Sequence, residues 1–191
     1  MQSDKNKADK QHPKIMLDFD GVAIDDITPR IDKRFPKSDT GLQRVYIEAL
    51  FHLLRPLKNS CAKLIEQPEI SIEQNAAKFM RRVRTSDLIL CTANPTLDKD
   101  RLNSVLGKEG VHGVRIYTVP DKNKIKIAYS ERAILVEDDP VVAMRAAKKG
   151  VNVILFERKY NKSAGKILPR INSSISIAHS WEEVAKLVSS K

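Results

Sequence analysis

The stretch Lys14-Ile15-Met16-Leu17-Asp18-Phe19-Asp20-Gly21 decides how this chain is read. Consecutive apolar residues without polar alternation suit a parallel strand buried on both faces. The run ends in two aspartates flanking Phe19, followed by a glycine. Carboxylates two residues apart point to opposite faces of a regular strand, but a turn at Gly21 can bend the second back over the first. Close carboxylates repel, so one is held ionised by a cation while its neighbour keeps a proton. That division supplies a nucleophile and a general acid from the pair Asp18 and Asp20.

Further along, the same grammar recurs. Leu88-Ile89-Leu90-Cys91 ends in Thr92-Ala93-Asn94-Pro95, and Ala133-Ile134-Leu135-Val136 ends in Glu137-Asp138-Asp139-Pro140. Asn94-Pro95 and Asp139-Pro140 each place a capping residue before a proline at the first helical position, where the missing N–H costs nothing. Leu97, Leu102, Val105 and Leu106 would face inward from the first helix, and Val141, Met144 and Ala147 from the second. Val151 to Phe156 reads as another strand, and Ser180-Trp181-Glu182-Glu183 as a capped C-terminal helix. Strands alternating with helices predict an α/β fold, a Rossmann-like parallel sheet with helices on both faces. Such sheets bind ligands beyond the carboxyl ends of their strands, where all these polar clusters fall.

Each cluster suits one part of a phosphoryl chemistry. Thr92 offers a hydroxyl before a helix N-terminus, where the free N–H groups around Ala93 and Asn94 can hold phosphate oxygens. Asp138 and Asp139 offer hard oxygen ligands suited to Mg²⁺. Lys122, Lys124 and Lys126 are candidates to neutralise phosphoryl charge. Lys124 is favoured, standing three residues before the inward-facing pair Ile127-Ala128, though the sequence leaves all three open.

Taken together, Asp18-x-Asp20-Gly21, Thr92, a lysine and Asp138-Asp139 resemble, in order and context, the four motifs of the haloacid dehalogenase superfamily. The resemblance implies Asp18 as nucleophile, Asp20 as acid/base, Thr92 as the phosphate hydroxyl and Asp138 as principal metal carboxylate, with Asp18 and the Asp20 carbonyl as the other Mg²⁺ ligands. Members that remove halide lack the second aspartate, so the resemblance implies a Mg²⁺-dependent phosphohydrolase with an aspartyl-phosphate intermediate. A phosphomutase or phosphotransferase on the same core is the alternative. The layout of Phe156-Glu157-Arg158-Lys159-Tyr160-Asn161, with Ser180-Trp181-Glu182-Glu183, is similar to the 5'(3')-deoxyribonucleotidase branch, which implies a nucleotide 5'-phosphate as substrate.

Residues 26–84 interrupt the alternation, with helical patterns over 42–54 and 72–83 punctuated by prolines. The expected organisation is a tail over 1–13, a core over 14–25 and 85–191, and a helical insertion over 26–84, where the resembled family carries a C1 cap. Over 27–84, twelve Lys/Arg stand against six Asp/Glu, a local balance of +6 within a net charge of +10. A basic insertion attracts phosphorylated substrates, and its few aromatics (Phe35, Tyr46, Phe51 and Phe79), with no evident stacking platform, favour a small one, for example a nucleotide. It also leaves room for a nucleic-acid end phosphatase or a nucleic-acid-binding module, with Arg81 and Arg82 as the strand contacts to test. With 41% hydrophobic and 30% charged residues the chain reads as globular and soluble. No apolar run approaches a bilayer span, so no membrane partner is expected. The charged opening has no apolar signal region, and Cys61 and Cys91 form no disulfide framework; both point to a cytoplasmic protein.

Overall fold

A computed structural model describes residues 13–24, 70–93, 97 and 99–191. Most of the expected insertion, and Asn94 of the expected phosphate loop, lie outside the described residues. The strands are β1 (Ile15–Asp18), β2 (Leu88–Thr92), β3 (Arg115–Thr118), β4 (Ile134–Glu137), β5 (Val153–Phe156) and β6 (Ile175–Ala178). Between and after them run α1 (Gln74–Arg82), α2 (Lys99–Lys108), α3 (Asp121–Ser130), α4 (Pro140–Ala147), α5 (Lys162–Ile171) and α6 (Trp181–Ser189). All strand pairs are parallel, in the order β3-β2-β1-β4-β5-β6. The expected α/β class is the one found. Strand order reverses between β1 and β4, and crevices at such reversals are where open α/β sheets bind ligands.

Alternation along the strands sorts the core into two layers. Ile15, Leu17, Leu88, Leu90, Ile134, Val136, Ile154 and Phe156 pack beneath α1, α2 and α6. Met16, Ile89, Cys91, Leu135, Val153 and Leu155 pack on the other face, beneath α3 and α4. This explains the unalternated apolar runs, since both faces are dry. β3, at the sheet edge, is only half-buried along Arg115-Ile116-Tyr117, and its mixed composition carries no such run.

Residues 70–84 of the expected insertion belong to this packing. Ala76, Ala77, Phe79 and Met80 of α1 are buried, and Trp181 stacks between Phe79 and Phe156 at 5.2 Å from each ring. Where the chain leaves and re-enters the core, Ile24 and Ile72 form a bridge. Two sequence expectations about inward faces change. Val141 is 53% exposed and Met144 half-buried, and α4 buries Val142, Ala143 and Ala146 beside the expected Ala147. In α3, Lys124, Ile125 and Ala128 are the buried set, with Ile127 half-buried. Counting inward residues from the cap picked a face about one residue out of phase, because the helix roll is set by the sheet beneath.

Candidate active site

The alternation that sorts the core also aims the acidic residues. Asp18 shares its face of β1 with Met16, and Glu137 shares its face of β4 with Leu135, so both turn toward α3. The β1–β4 register pairs Leu17 with Val136, and one further step brings Asp18 beside Glu137. Lys124 descends from α3 onto this pair, its Nζ 2.5 Å from Asp18 Oδ2 and 3.0 Å from Glu137 Oε2. Asp121, one turn earlier on the same helix, is 3.8 Å away. Lys122 and Lys126 are exposed, whereas Lys124 is 1% exposed. Among the three candidate lysines, helical phase alone selects Lys124 for the acidic cluster.

Asp18, Glu137 and Asp138 are all buried, and their oxygens lie within 4.8 Å of one another. Among the described residues, one ammonium, that of Lys124, pairs with this buried set of three acidic groups. Burial drives the Asp18 carboxyl well above its usual range; Glu137 adds to the rise and Lys124 opposes it. Burial likewise raises the Asp138 carboxyl, again with Glu137 adding and Lys124 opposing. Burial alone would depress Lys124, but the Asp18 and Glu137 carboxylates outweigh it and hold the ammonium well above its ordinary value. Asp18 Oδ1 is buried with no hydrogen-bond partner among the described residues. An orphaned carboxylate oxygen beside two more carboxylates is a donor set for a hard cation, and Mg²⁺ fits it.

The other expected site residues gather at the same edge. Thr92 ends β2 fully buried, and its hydroxyl donates to Asp20 Oδ2 at 3.3 Å. Ala93 follows it at the strand end. Asp139 caps α4, its Oδ1 accepting from the N–H groups of Val141 at 2.7 Å and Val142 at 3.3 Å. Asp139 and Asp20 are not in the three-carboxylate cluster. Glu137, noted in the sequence only as a neighbour, takes the third place. Its Oε1 accepts from the backbone N–H groups of Asp138 and Asp139 at 3.2 and 3.1 Å, which fixes the turn between β4 and α4.

Three further residues come from the segment after β5. The Tyr160 hydroxyl donates to Asp138 Oδ2. Asn161, 2% exposed, donates from Nδ2 to the carbonyls of Asp138 (2.7 Å) and Phe156 (2.9 Å). Arg158 donates to the carbonyls of Gly21 and Val22. Gly21 has φ +82°, and a Cβ there would collide with the Asp138 carboxylate. Only glycine lets the turn after β1 and the turn after β4 approach this closely. A separate cleft of about 890 Å³ lies between α1 and α6, lined by Ile15, Phe79, Arg82, Asp87 and Trp181 among others. It opens beside the amino ends of β1 and β2, away from the acidic cluster. Arg82 lines that cleft, and Arg81 bonds the Glu109 carbonyl at 2.7 Å; neither is at the carboxyl edge.

The chain matches no protein-family profile. No curated protein matches it either. Solved structures do. A haloacid dehalogenase-like protein of unknown function from Agrobacterium tumefaciens is 18% identical, with a TM-score of 0.56 over 92% of this chain and 97% of that one. A haloacid dehalogenase-superfamily hydrolase from Ehrlichia chaffeensis is 12% identical, with a TM-score of 0.51 over 93% and 96% of the two chains. A hydrolase of that family from Deinococcus radiodurans, solved with bound phosphate and sodium, is 13% identical, with a TM-score of 0.51 over 90% and 92%. A parallel six-stranded sheet between helix layers, with its acidic cluster at the carboxyl edge, therefore gives this chain the fold of the haloacid dehalogenase-like hydrolases.

Proposed function

We propose that the protein is a Mg²⁺-dependent phosphomonoester hydrolase that uses Asp18 as its nucleophile. The observation that carries this reading is Asp18 itself. It is a buried carboxylate at the carboxyl end of a central strand, gripped by Lys124 on one oxygen and unpartnered on the other, beside Asp138. The Deinococcus neighbour, with its bound phosphate, supports the same chemistry on this fold.

Asp18, Asp138 and Glu137 would hold the cation, with the Asp20 carbonyl as a further donor implied by the family resemblance. When bound, Mg²⁺ supplies positive charge against a phosphate oxygen. The remaining work falls to the chain. An Asp18 carboxylate oxygen attacks phosphorus while the ester P–O bond breaks. Asp20 in its acid form passes its proton to the leaving alcohol oxygen. The Asp20 carboxylate then takes a proton from water, whose oxygen attacks the aspartyl-phosphate and releases Asp18 and inorganic phosphate. Thr92 orients Asp20 through their hydrogen bond, and Lys124 offsets charge on the equatorial oxygens. Among esters we favour a nucleotide 5'-phosphate, on the similarity of residues 156–161 and 180–183 to the deoxyribonucleotidase branch. A small substrate is preferred over a nucleic-acid strand because Arg81 and Arg82 sit away from the acidic edge.

The test is a hydrolysis screen in Mg²⁺ and in EDTA across nucleoside monophosphates, sugar phosphates and end-phosphorylated oligonucleotides. Asp18→Asn should abolish turnover with the fold intact, because an amide cannot attack phosphorus. Equal activity in EDTA, or wild-type rates in Asp18→Asn, rejects the reading.

A further inference from the structure

The turn that carries Asp20 is held at its ends by Phe19 N–H on the Cys91 carbonyl and by the Ile24–Ile72 bridge, and Thr92 bonds the Asp20 side chain. Phe19 accepts from the N–H groups of Ala23 and Ile24, closing a short loop in which Gly21 adopts a positive φ. Gly21 and Val22 are buried, so their carbonyls need protein partners or ordered water. Arg158 provides both. Its Nε donates to Gly21 O at 2.8 Å and its Nη2 to Val22 O at 2.9 Å, from 136 to 137 residues away in sequence. The same Nη2 lies 3.4 Å from Glu73 Oε2, where the chain re-enters the core. The guanidinium rests over the Phe156 ring, 4.6 Å from its centroid, and the Arg158 N–H donates to Asn161 Oδ1 at 2.8 Å. Asn161 in turn holds the Asp138 carbonyl. A planar fork with two donors on two carbonyls, itself packed on an aromatic face, restrains direction as well as distance.

We propose that Arg158 is a positioning residue for the nucleophile turn, locking the Gly21–Val22 backbone so that Asp20 sits correctly for proton transfer. This rests on the phosphatase reading, and Arg158 acts through Asp20 and touches no reacting atom. A shift of about 1 Å in a catalytic group costs on the order of 100-fold in rate. Replacing Arg158 should therefore lower kcat by about 10- to 100-fold, the range of outer-shell positioning losses, with little change in KM.

The experiment uses the full chain as wild type, Arg158→Ala, Arg158→Lys and Glu73→Gln. It measures kcat and KM for p-nitrophenyl phosphate in Mg²⁺, and amide hydrogen exchange of the peptide covering residues 17–24. Arg158→Ala should lose kcat as above and exchange this peptide faster while other core peptides keep their protection. Arg158→Lys, able to reach one carbonyl, should recover part of both. Glu73→Gln keeps the carbonyl fork and should stay within about threefold of wild-type kcat. Wild-type kcat or unchanged exchange in Arg158→Ala overturns the proposal, as does equal loss in Glu73→Gln, which would make the ion pair the cause. A wild type that hydrolyses no phosphate ester sinks the function instead, and exchange alone then decides whether Arg158 locks the turn.

Discussion

Replacing Lys124 with methionine isolates the electrostatics of the acidic cluster. Methionine keeps most of the volume and the apolar stem, so packing beneath α3 is conserved and charge is removed. Lys124 is 1% exposed and bonded to Asp18 and Glu137, so the variant leaves those carboxylates buried without their ammonium. Removing one partner of a buried ion pair costs about 3–5 kcal/mol. In a domain of this size each kcal/mol moves Tm by roughly 2–4 °C, so a loss of roughly 6–20 °C is expected. The pH dependence carries a sign. Asp18 and Asp138 have folded values raised above the ordinary 3.8, chiefly by burial and then by Glu137, so the folded state holds protons that the unfolded chain has released. The stabilisation these two groups contribute in EDTA is therefore fully present near and below about pH 4 and is lost as pH rises toward the raised folded values. Without the opposing lysine the variant should fall more steeply, and Mg²⁺ should restore stability to both proteins by neutralising the same carboxylates. Thermal unfolding by circular dichroism, with and without Mg²⁺ across this range, is the assay. A loss below about 1 kcal/mol, or a variant whose deficit does not grow with pH, refutes the buried-charge argument.

Three other perturbations test neighbouring parts of the structure. Gly21→Ala, forced into a positive φ and against the Asp138 carboxylate, should cost about 1–2 kcal/mol from the backbone alone and weaken Mg²⁺ binding; calorimetric titration with an unchanged metal affinity would contradict the close approach. Asn161→Ala orphans the buried carbonyls of Asp138 and Phe156 and should destabilise by about 2–4 kcal/mol in urea unfolding, where a loss near zero would mean that other donors reach them. Glu131 joins Lys14 at 2.6 Å and Arg115 at 2.8 Å, and these hydrogen bonds hold its carboxyl below the ordinary 4.5. Its contribution, at most about 1 kcal/mol for a partly exposed pair, is present above that value and lost as pH falls through the lowered one. Glu131→Gln should thus be less stable than wild type at neutral pH and match it in acid, and a difference that persists in acid would assign the effect to packing.

Residue order alone determined the buried strands and the polar residues at their carboxyl ends. Ile15 to Leu17, Leu88 to Cys91 and Ile134 to Val136 are apolar without alternation, and only strands dry on both faces select such runs. Asp18, Thr92 and Asp138 were legible as a set because a parallel sheet delivers the residue after every strand to the same edge. The cap of α4 was equally local, since Asp139 bonds N–H groups two and three residues on. The tertiary structure decided the rest. Which lysine meets Asp18 depends on the roll of α3 against the sheet, and a helix with lysines at 122, 124 and 126 carries no local mark of that phase. Glu137 enters the cluster through the β1–β4 register, a pairing between segments more than a hundred residues apart. Arg158, Tyr160 and Asn161 reach the site from beyond β5, Arg158 across the strand-order reversal to Gly21 and Val22, and their partners are backbone carbonyls and the Asp138 and Glu73 carboxylates, which no short-range spacing could announce. Contacts made within a few residues arise from covalent geometry and are written in the order of the chain; contacts made between strands exist only once the sheet has brought them together.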